Sequence, residues 1–262
     1  MSTDVDPAQA APAVEDILPH RRIRSAKLPQ RVASAIVEDI AGRDLEAGDR
    51  LPAEAELAEQ FGVSRASIRE ALRVLETFGV VRIKPGNKGG NEVGTIDAED
   101  LARTLALFFR MARATYRDLM DARLVTEPVM SRRAAERQHP EDLAELRRIM
   151  EREAASTAGT PEGDQLALAF HWVICGASGN PVMDSLGRAI HTLYGDRLAA
   201  NLLYDPGCWT TARQIHEEIG RAILDGDGRR AQELMAEHME AFLALQEERT
   251  PWLLDERIAW TP

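Results

Sequence analysis

Apolar residues return at helical spacing from Leu28 onward, with Val32, Ala35, Ile36, Val37 and Ile40 along one segment. Gly42, Asp44, Gly48 and Asp49, followed by Pro52, mark a connector. A short helix with Leu57, Ala58 and Phe61 apolar then stops at Gly62. Ser64 opens the next helix, where its hydroxyl can cap free backbone amides. Ile68, Leu72, Leu75 and Phe78 share one face of that helix, and Gly79 ends it. Val80, Val81, Arg82, Ile83 and Lys84 read as a strand, residues 85–90 as a Pro/Gly-rich loop, and Glu92 to Thr95 as a returning strand. Three helices followed by a hairpin form the plan of a winged helix-turn-helix.

After Thr95 the periodicity is helical almost throughout. It predicts helices near 97–112, 116–138, 140–155, 162–177, 181–203, 209–224 and 228–247. The breaks fall at His139-Pro140, Gly159 to Gly163, Asn180-Pro181, Asp205-Pro206-Gly207 and Asp225 to Gly228. The expected fold class is mainly α: an N-terminal winged helix-turn-helix with a small β-hairpin, followed by an all-α bundle. The expected division is a disordered tail over 1–24, a DNA-binding domain over 25–95, a helical effector-binding and dimerisation domain over 96–248, and a C-terminal tail over 249–262. That last tail, with Trp252, Leu253, Leu254 and Trp260, has no assigned role beyond covering an apolar patch or assisting a dimer.

Charge sharpens this division. The net charge of −11 argues at first against nucleic acid. Its distribution reverses that reading. Residues 21–94 carry 13 bases against 11 acids, whereas residues 95–262 carry 19 against 28. A locally basic face on the smaller domain can hold DNA while the acidic body stays clear of it. Two cysteines, Cys175 and Cys208, in no zinc-like spacing, exclude a disulfide framework and suit a reducing, cytoplasmic setting. The apolar run from Leu166 to Cys175 is broken by His171 and is too short to span a bilayer, so no membrane partner is expected.

Arg65, Arg69 and Arg73 lie on the helix that Ser64 opens, away from Ile68, Leu72 and Leu75. In a helix-turn-helix this N-terminal end enters the major groove, where arginine suits both guanine acceptors and phosphate. Ser64 and Ser67 can make short contacts beside them, while Lys84 and Lys88 flank the hairpin loop where a wing meets the backbone. Taken alone, three arginines on a helix also describe an ordinary solvated face.

The residues Leu51 to Ala58, Phe61 to Arg65, Ile68 to Leu72, Leu75 and Gly79 resemble the GntR family of bacterial regulators over about residues 28–94. The resemblance implies operator contacts at Ser64, Arg65 and Arg69. Family members often carry a contacting arginine where this chain has Ala55, and some carry a histidine where it has Pro85. These departures imply altered or weaker half-site reading.

In the second domain, His216 and His238 sit about equally far from the break at Asp225 to Gly228, some 15 Å at 1.5 Å per residue. On an antiparallel helix pair they would face each other, and His171 could complete a cluster from a third helix. Three imidazoles inside a bundle can bind a divalent metal of the zinc, nickel or manganese class. They can equally pack as ordinary core histidines. Arg123 is the candidate to grip an effector carboxylate, or else forms a structural pair with Glu127 one turn away. Arg188, His191, Tyr194 and Arg197 either line the same pocket or form an exposed face. Asn180 reads as a helix cap and carries no ligand role.

Arg123, Glu127, Ala134-Ala135, Phe170-His171, Ser178-Gly179-Asn180, His216 and His238 together resemble the helical effector domain of the FadR subfamily within GntR, over roughly 97–247. The resemblance implies a metal held by His171, His216 and His238. The usual aspartate position is Ala167, which cannot ligate. Asp164 lies two turns from His171, and Asp121 and Glu127 are the other carboxylates available as substitutes.

The expected function is a sequence-specific transcriptional regulator, a repressor. Its affinity for a near-palindromic operator would be set by a small organic-acid effector, with a homodimer placing two recognition helices on DNA. A ligand-independent DNA-binding protein and a metal-dependent hydrolase stand as alternatives. No HExxH, GxSxG or phosphate-cradling glycine loop accompanies the histidines.

Overall fold

The computed structural model describes residues 27–84, 90–95, 97–157, 160–195, 197 and 206–260. The tail over 1–24 and the wing loop with Lys88 lie outside the described residues. The chain forms two compact units, 1–95 and 96–262.

The first unit contains α1 (Leu28–Gly42), α2 (Glu54–Gln60) and α3 (Arg65–Thr77), then β1 (Val81–Lys84) and β2 (Gly90–Val93). Its core gathers Val32 and Ile36 of α1, Leu57 of α2, Ile68, Leu72 and Leu75 of α3, and Val81 of β1. The i, i+4, i+7 spacing on α3 is therefore the face that the other two helices bury. The strands pair antiparallel, with Val81 opposite Val93 and Lys84 opposite Gly90.

The returning strand runs 90–93, whereas the sequence pattern placed it at 92–95. At Gly94 the backbone closes onto the preceding turn, with its N–H donating to the Val80 carbonyl at 2.8 Å. A Cβ there would collide with the Gly79 carbonyl, so only glycine fits this close approach. The connector also does more than join helices. Val93 N–H donates to Asp49 O and Leu51 N–H to Asn91 O, which lays residues 49–51 along β2.

The second unit contains α4 (Ala98–Ala112), α5 (Tyr116–Arg137), α6 (Pro140–Ala155), α7 (Pro161–Ala177), α8 (Pro181–Tyr194), α9 (Pro206–Leu224), α10 (Gly228–Arg249) and the short α11 (Pro251–Leu254). The helix expected over 181–203 is described as α-helical only to Tyr194; residues 198–205 are not described. The start signals act as read. Asn180 accepts hydrogen bonds from the amides of Val182 and Met183, and Asp227 accepts one from Arg230. Helix α5 packs along α10, α6 against α7, and α9 against α10.

The main core fills the space among α5, α6, α7, α9 and α10, with Phe170, Ile219, Met235 and Leu146 all but inaccessible. A second apolar cluster joins Ala106, Tyr116, Leu119, Met120 and Tyr194 to Leu253, Leu254 and Ile258. The segment after α10 therefore packs on the helical unit. It is clasped there by Tyr116 N–H donating to Glu256 O and Ile258 N–H to Ala114 O. Trp252 and Trp260 stay largely exposed. No helix among the described residues is long and apolar enough to cross a membrane.

Candidate functional site

On the first unit, Ser64 caps α3 by accepting the Ser67 amide at 3.2 Å, and the two hydroxyls lie 3.0 Å apart. Capping fixes the first turn, and Arg65, Arg69 and Arg73 project from α3 into solvent. Arg69 is held in place by Glu54 of α2, with Nε to Oε1 at 3.2 Å and Nη2 to Oε2 at 2.7 Å. That fork depresses the Glu54 carboxyl below its ordinary range. Lys84 pairs with Glu92 across the hairpin at 2.6 Å, so its charge is partly neutralised within the strand pair. Arg82 shares the exposed face of β1 with Lys84. Strand alternation, which puts both residues on one side, is the signal in the sequence that marks Arg82 beside Lys84.

In the second unit, His216 and His238 face each other from α9 and α10, their Nε2 atoms 3.2 Å apart. His171 of α7 stands 5.1 Å and 5.5 Å from their rings. The ligating atoms of all three lie within 4.8 Å of one another. Symmetry about the turn brings the first pair together, and the buried face of α7 brings the third.

Each of two rings is braced by a buried acid. His171 Nδ1 lies 2.6 Å from Glu127 Oε2, and His216 Nδ1 lies 2.8 Å from Glu153 Oε1. A carboxylate only accepts, so each Nδ1 carries the proton and each Nε2 keeps its lone pair. This is how carboxylates orient metal-ligating imidazoles. Phe170 stacks on His216 at 4.2 Å and holds the ring plane. Burial is the largest influence on His171 and drives it down to about 3, Glu127 offsetting only part; His238 is likewise held well below its ordinary value by burial. His171 and His238 are therefore uncharged at neutral pH.

Glu153 was not singled out in the sequence. The signal was present: an acid on the apolar face of α6 that also carries Leu143, Leu146 and Ile149. Glycines permit the close approach. A Cβ on Gly187 would sit 2.7 Å from Cys175 Sγ, so α8 can lie against α7 only without one, and one turn later His191 reaches 5.0 Å from His171.

Arg123 forms the structural pair expected with Glu127. It is buried and pairs with Glu127 through Nε at 2.5 Å, and its guanidinium lies 4.5 Å over the Tyr194 ring. It also lines the cavity that His171, His216 and His238 share, of about 60 Å³. Burial alone would raise the Glu127 carboxyl, but Arg123, then His171 and His191, outweigh it and hold Glu127 well below its ordinary range. His191 and Tyr194 line this cavity. Arg188 instead pairs with Asp184 at 2.5 Å, and Arg197 with Glu256 at 2.9 Å.

Ala167 also lines the cavity and offers no ligand. Asp164 reaches the same wall, its Oδ1 buried without a hydrogen-bond partner and its carboxyl raised by burial, but it stands outside the three-histidine group. Asp121 is exposed, and Glu127 braces His171 from its Nδ1 side.

The described residues thus contain two groups able to hold a metal, His171–His216–His238 and Glu127–His171–His191. Comparison with known proteins follows the same two-part division. Residues 28–88 match the bacterial regulatory proteins, gntR family, and residues 118–241 match the FCD domain. The HTH-type transcriptional regulator LutR of Bacillus subtilis is 26% identical over 208 residues, covering 76% of this chain and 92% of that protein. The HTH-type transcriptional repressor NanR of Cronobacter sakazakii is 29% identical over 200 residues, 75% of each. A solved GntR structure from Streptococcus agalactiae superposes with a TM-score of 0.69 at 27% identity, covering 83% of this chain and 99% of that one. These relatives are regulators, which sets the hydrolase alternative aside. The chain belongs to the GntR family of bacterial transcriptional regulators, with an N-terminal DNA-binding winged helix and a C-terminal FCD domain.

Proposed function

We propose that this regulator is a repressor whose hold on a near-palindromic operator is set by a small carboxylate bound in the helical domain, at a divalent metal on His171, His216 and His238. The observation that carries the reading is the braced imidazole trio: two of its three rings have Nδ1 tied to buried acids, which leaves Nε2 lone pairs converging beside Arg123. Core histidines that merely pack do not need two buried carboxylates to aim them. When bound, the metal would supply open coordination positions for a carboxylate oxygen. Arg123 offers a cation in the same cavity, and its Nη groups are not taken by Glu127.

On the DNA side, Ser64, Arg65, Ser67, Arg69 and Arg73 of α3 form the reading face, with Lys84 and Lys88 flanking the wing. A homodimer sets two such faces on one operator. The repressor sense draws support from the NanR relative. For control to operate, the ligand must bind the DNA-competent and incompetent states unequally.

The test is a thermal-shift panel of short metabolic carboxylates on the purified protein, with and without a chelator, paired with operator anisotropy. A ligand at about 100 times its dissociation constant adds about 2.7 kcal/mol, a shift of a few degrees. One acid should stabilise only without chelator and should change operator affinity. A panel with no shift in either condition would overturn the carboxylate reading, and an unaltered shift with chelator would overturn the metal.

A further inference from the structure

A fourth histidine enters the cavity with no role in the trio. His191 is 1% exposed, and its Nε2 is buried with no hydrogen-bond partner. That nitrogen lies 3.2 Å from Glu127 Oε1, but outside hydrogen-bond alignment. Glu127 already accepts from Arg123 Nε at Oε1 and from His171 Nδ1 at Oε2. A buried polar atom without a partner is disfavoured, and an apolar ring would fill the same space without that cost. Such an orphan beside a cavity therefore points to a partner that arrives from outside.

We propose that His191 is a ligand-binding residue of the helical domain, one that donates a hydrogen bond to a carboxylate oxygen of the bound small molecule alongside Arg123. The proposal rests on the reading of the cavity as a carboxylate site at a metal. Burial keeps the ring neutral, so it presents one N–H and one lone pair. Arg123 and Tyr194 line the same cavity, so the ligand meets a cation, an aromatic face and this imidazole at positions the metal-holding trio leaves unused. A charged group in place of His191 would have to be desolvated with the ligand; a neutral donor can discriminate by alignment instead.

The experiment uses the full chain loaded with cobalt(II), whose visible absorption reports changes in its own coordination, titrated with acetate as the smallest carboxylate probe. His191→Phe keeps the ring volume and removes both nitrogens. His191→Gln restores an N–H near the Nε2 position. Circular dichroism and metal analysis accompany each variant. The expected result is a saturable spectral response in the parent and one cobalt per chain in all three proteins. Acetate affinity should fall by about tenfold or more in His191→Phe and stay within about threefold of the parent in His191→Gln. Equal acetate affinity in parent and His191→Phe overturns the proposal and leaves the cavity reading standing. Loss of cobalt from His191→Phe also overturns it, because the residue would then belong to the metal site. If His191→Phe misfolds, His191→Gln decides alone, and a fall of tenfold or more there overturns the donor role. A parent protein whose cobalt spectrum ignores millimolar acetate overturns the cavity reading itself, and this proposal with it.

Discussion

Each unit carries an arginine held by a glutamate, and the two pairs work in opposite settings. Arg69 and Glu54 meet on the surface of the first unit with side chains 57% and 32% exposed, whereas Arg123 and Glu127 meet inside the second at 5% and 4%. Water screens the first pair and competes for every bond in it, so the arginine can be handed to another anion at little cost. The second pair is sealed, and each charge exists there only because the other does. The surface pair leaves Arg69 able to change partner. The buried pair holds a cavity wall in place.

Glu127→Leu should break this comparison most severely. It leaves Arg123 charged and buried, and it frees His171 to turn. A loss of about 3–5 kcal/mol is expected, read as a fall in the unfolding midpoint of the helical domain. The double variant Arg123→Met/Glu127→Leu should recover most of that loss. A single variant as stable as the parent would show that the interior is wetter than its burial implies.

Leu254→Ala probes the second cluster of the same unit. The side chain is fully buried, and truncation should cost about 2–5 kcal/mol, measured by chemical denaturation. An unaffected midpoint would show that the segment after α10 contributes no packing to the domain.

On the surface side, Arg69→Ala should lower operator affinity by at least about tenfold while leaving the unfolding midpoint within scatter. Anisotropy with an operator duplex reads the first and calorimetry the second. Unchanged operator affinity would remove α3 from its assigned place in the groove. Glu54→Gln should act more gently in the other direction. Without the competing carboxylate, binding to unrelated DNA should rise by about two- to fivefold, with specificity correspondingly reduced.

A separate effect concerns pH. His171 falls from 6.5 when unfolded to about 3 when folded, chiefly through burial. The unfolded chain therefore binds the proton first, and the stability held by the neutral ring is complete above about 6.5 and declines as pH falls toward 3. Glu127, depressed in the folded state, adds a further loss only below the ordinary carboxylate range. The helical domain should melt at steadily lower temperature between pH 7 and pH 5, and His171→Asn should flatten that slope. A slope that the variant leaves unchanged would assign the effect to other groups.

Much of this was legible in the sequence because it is written in local patterns. Ser64, Asn180 and the break before Gly228 announce helix starts through side-chain chemistry that acts within three residues. His216 and His238 could be matched because a tight turn converts sequence distance into height on a helix pair. Contacts among non-neighbouring helices were harder to read. Glu153 and His191 were on view as polar residues on apolar faces, but which ring each would meet depended on how closely α6, α7, α8 and α9 approach. That approach is set by absences of side chain at Gly187 and Gly220, which carry no periodic signal. The strand boundary at Gly94 was missed for a related reason, since a close approach to the Gly79 carbonyl that only glycine allows leaves no mark in hydrophobic pattern. That the segment after α10 covers an apolar patch was legible, but its partners were not, because Ala114 and Tyr116 lie at the other end of the domain's sequence.

That last contact bears on how the domain assembles. Pairing Ala114 and Tyr116 with Ile258 and Glu256 closes a loop that contains nearly the whole helical unit. Closing so long a loop costs chain entropy before any contact returns it, so such pairings form late on the folding route and open early on the way out. The clasp is a kinetic latch. Amide exchange at Tyr116 and Ile258 should therefore run ahead of exchange in α7 and α10, marking a partly opened state in which the imidazole core is still intact.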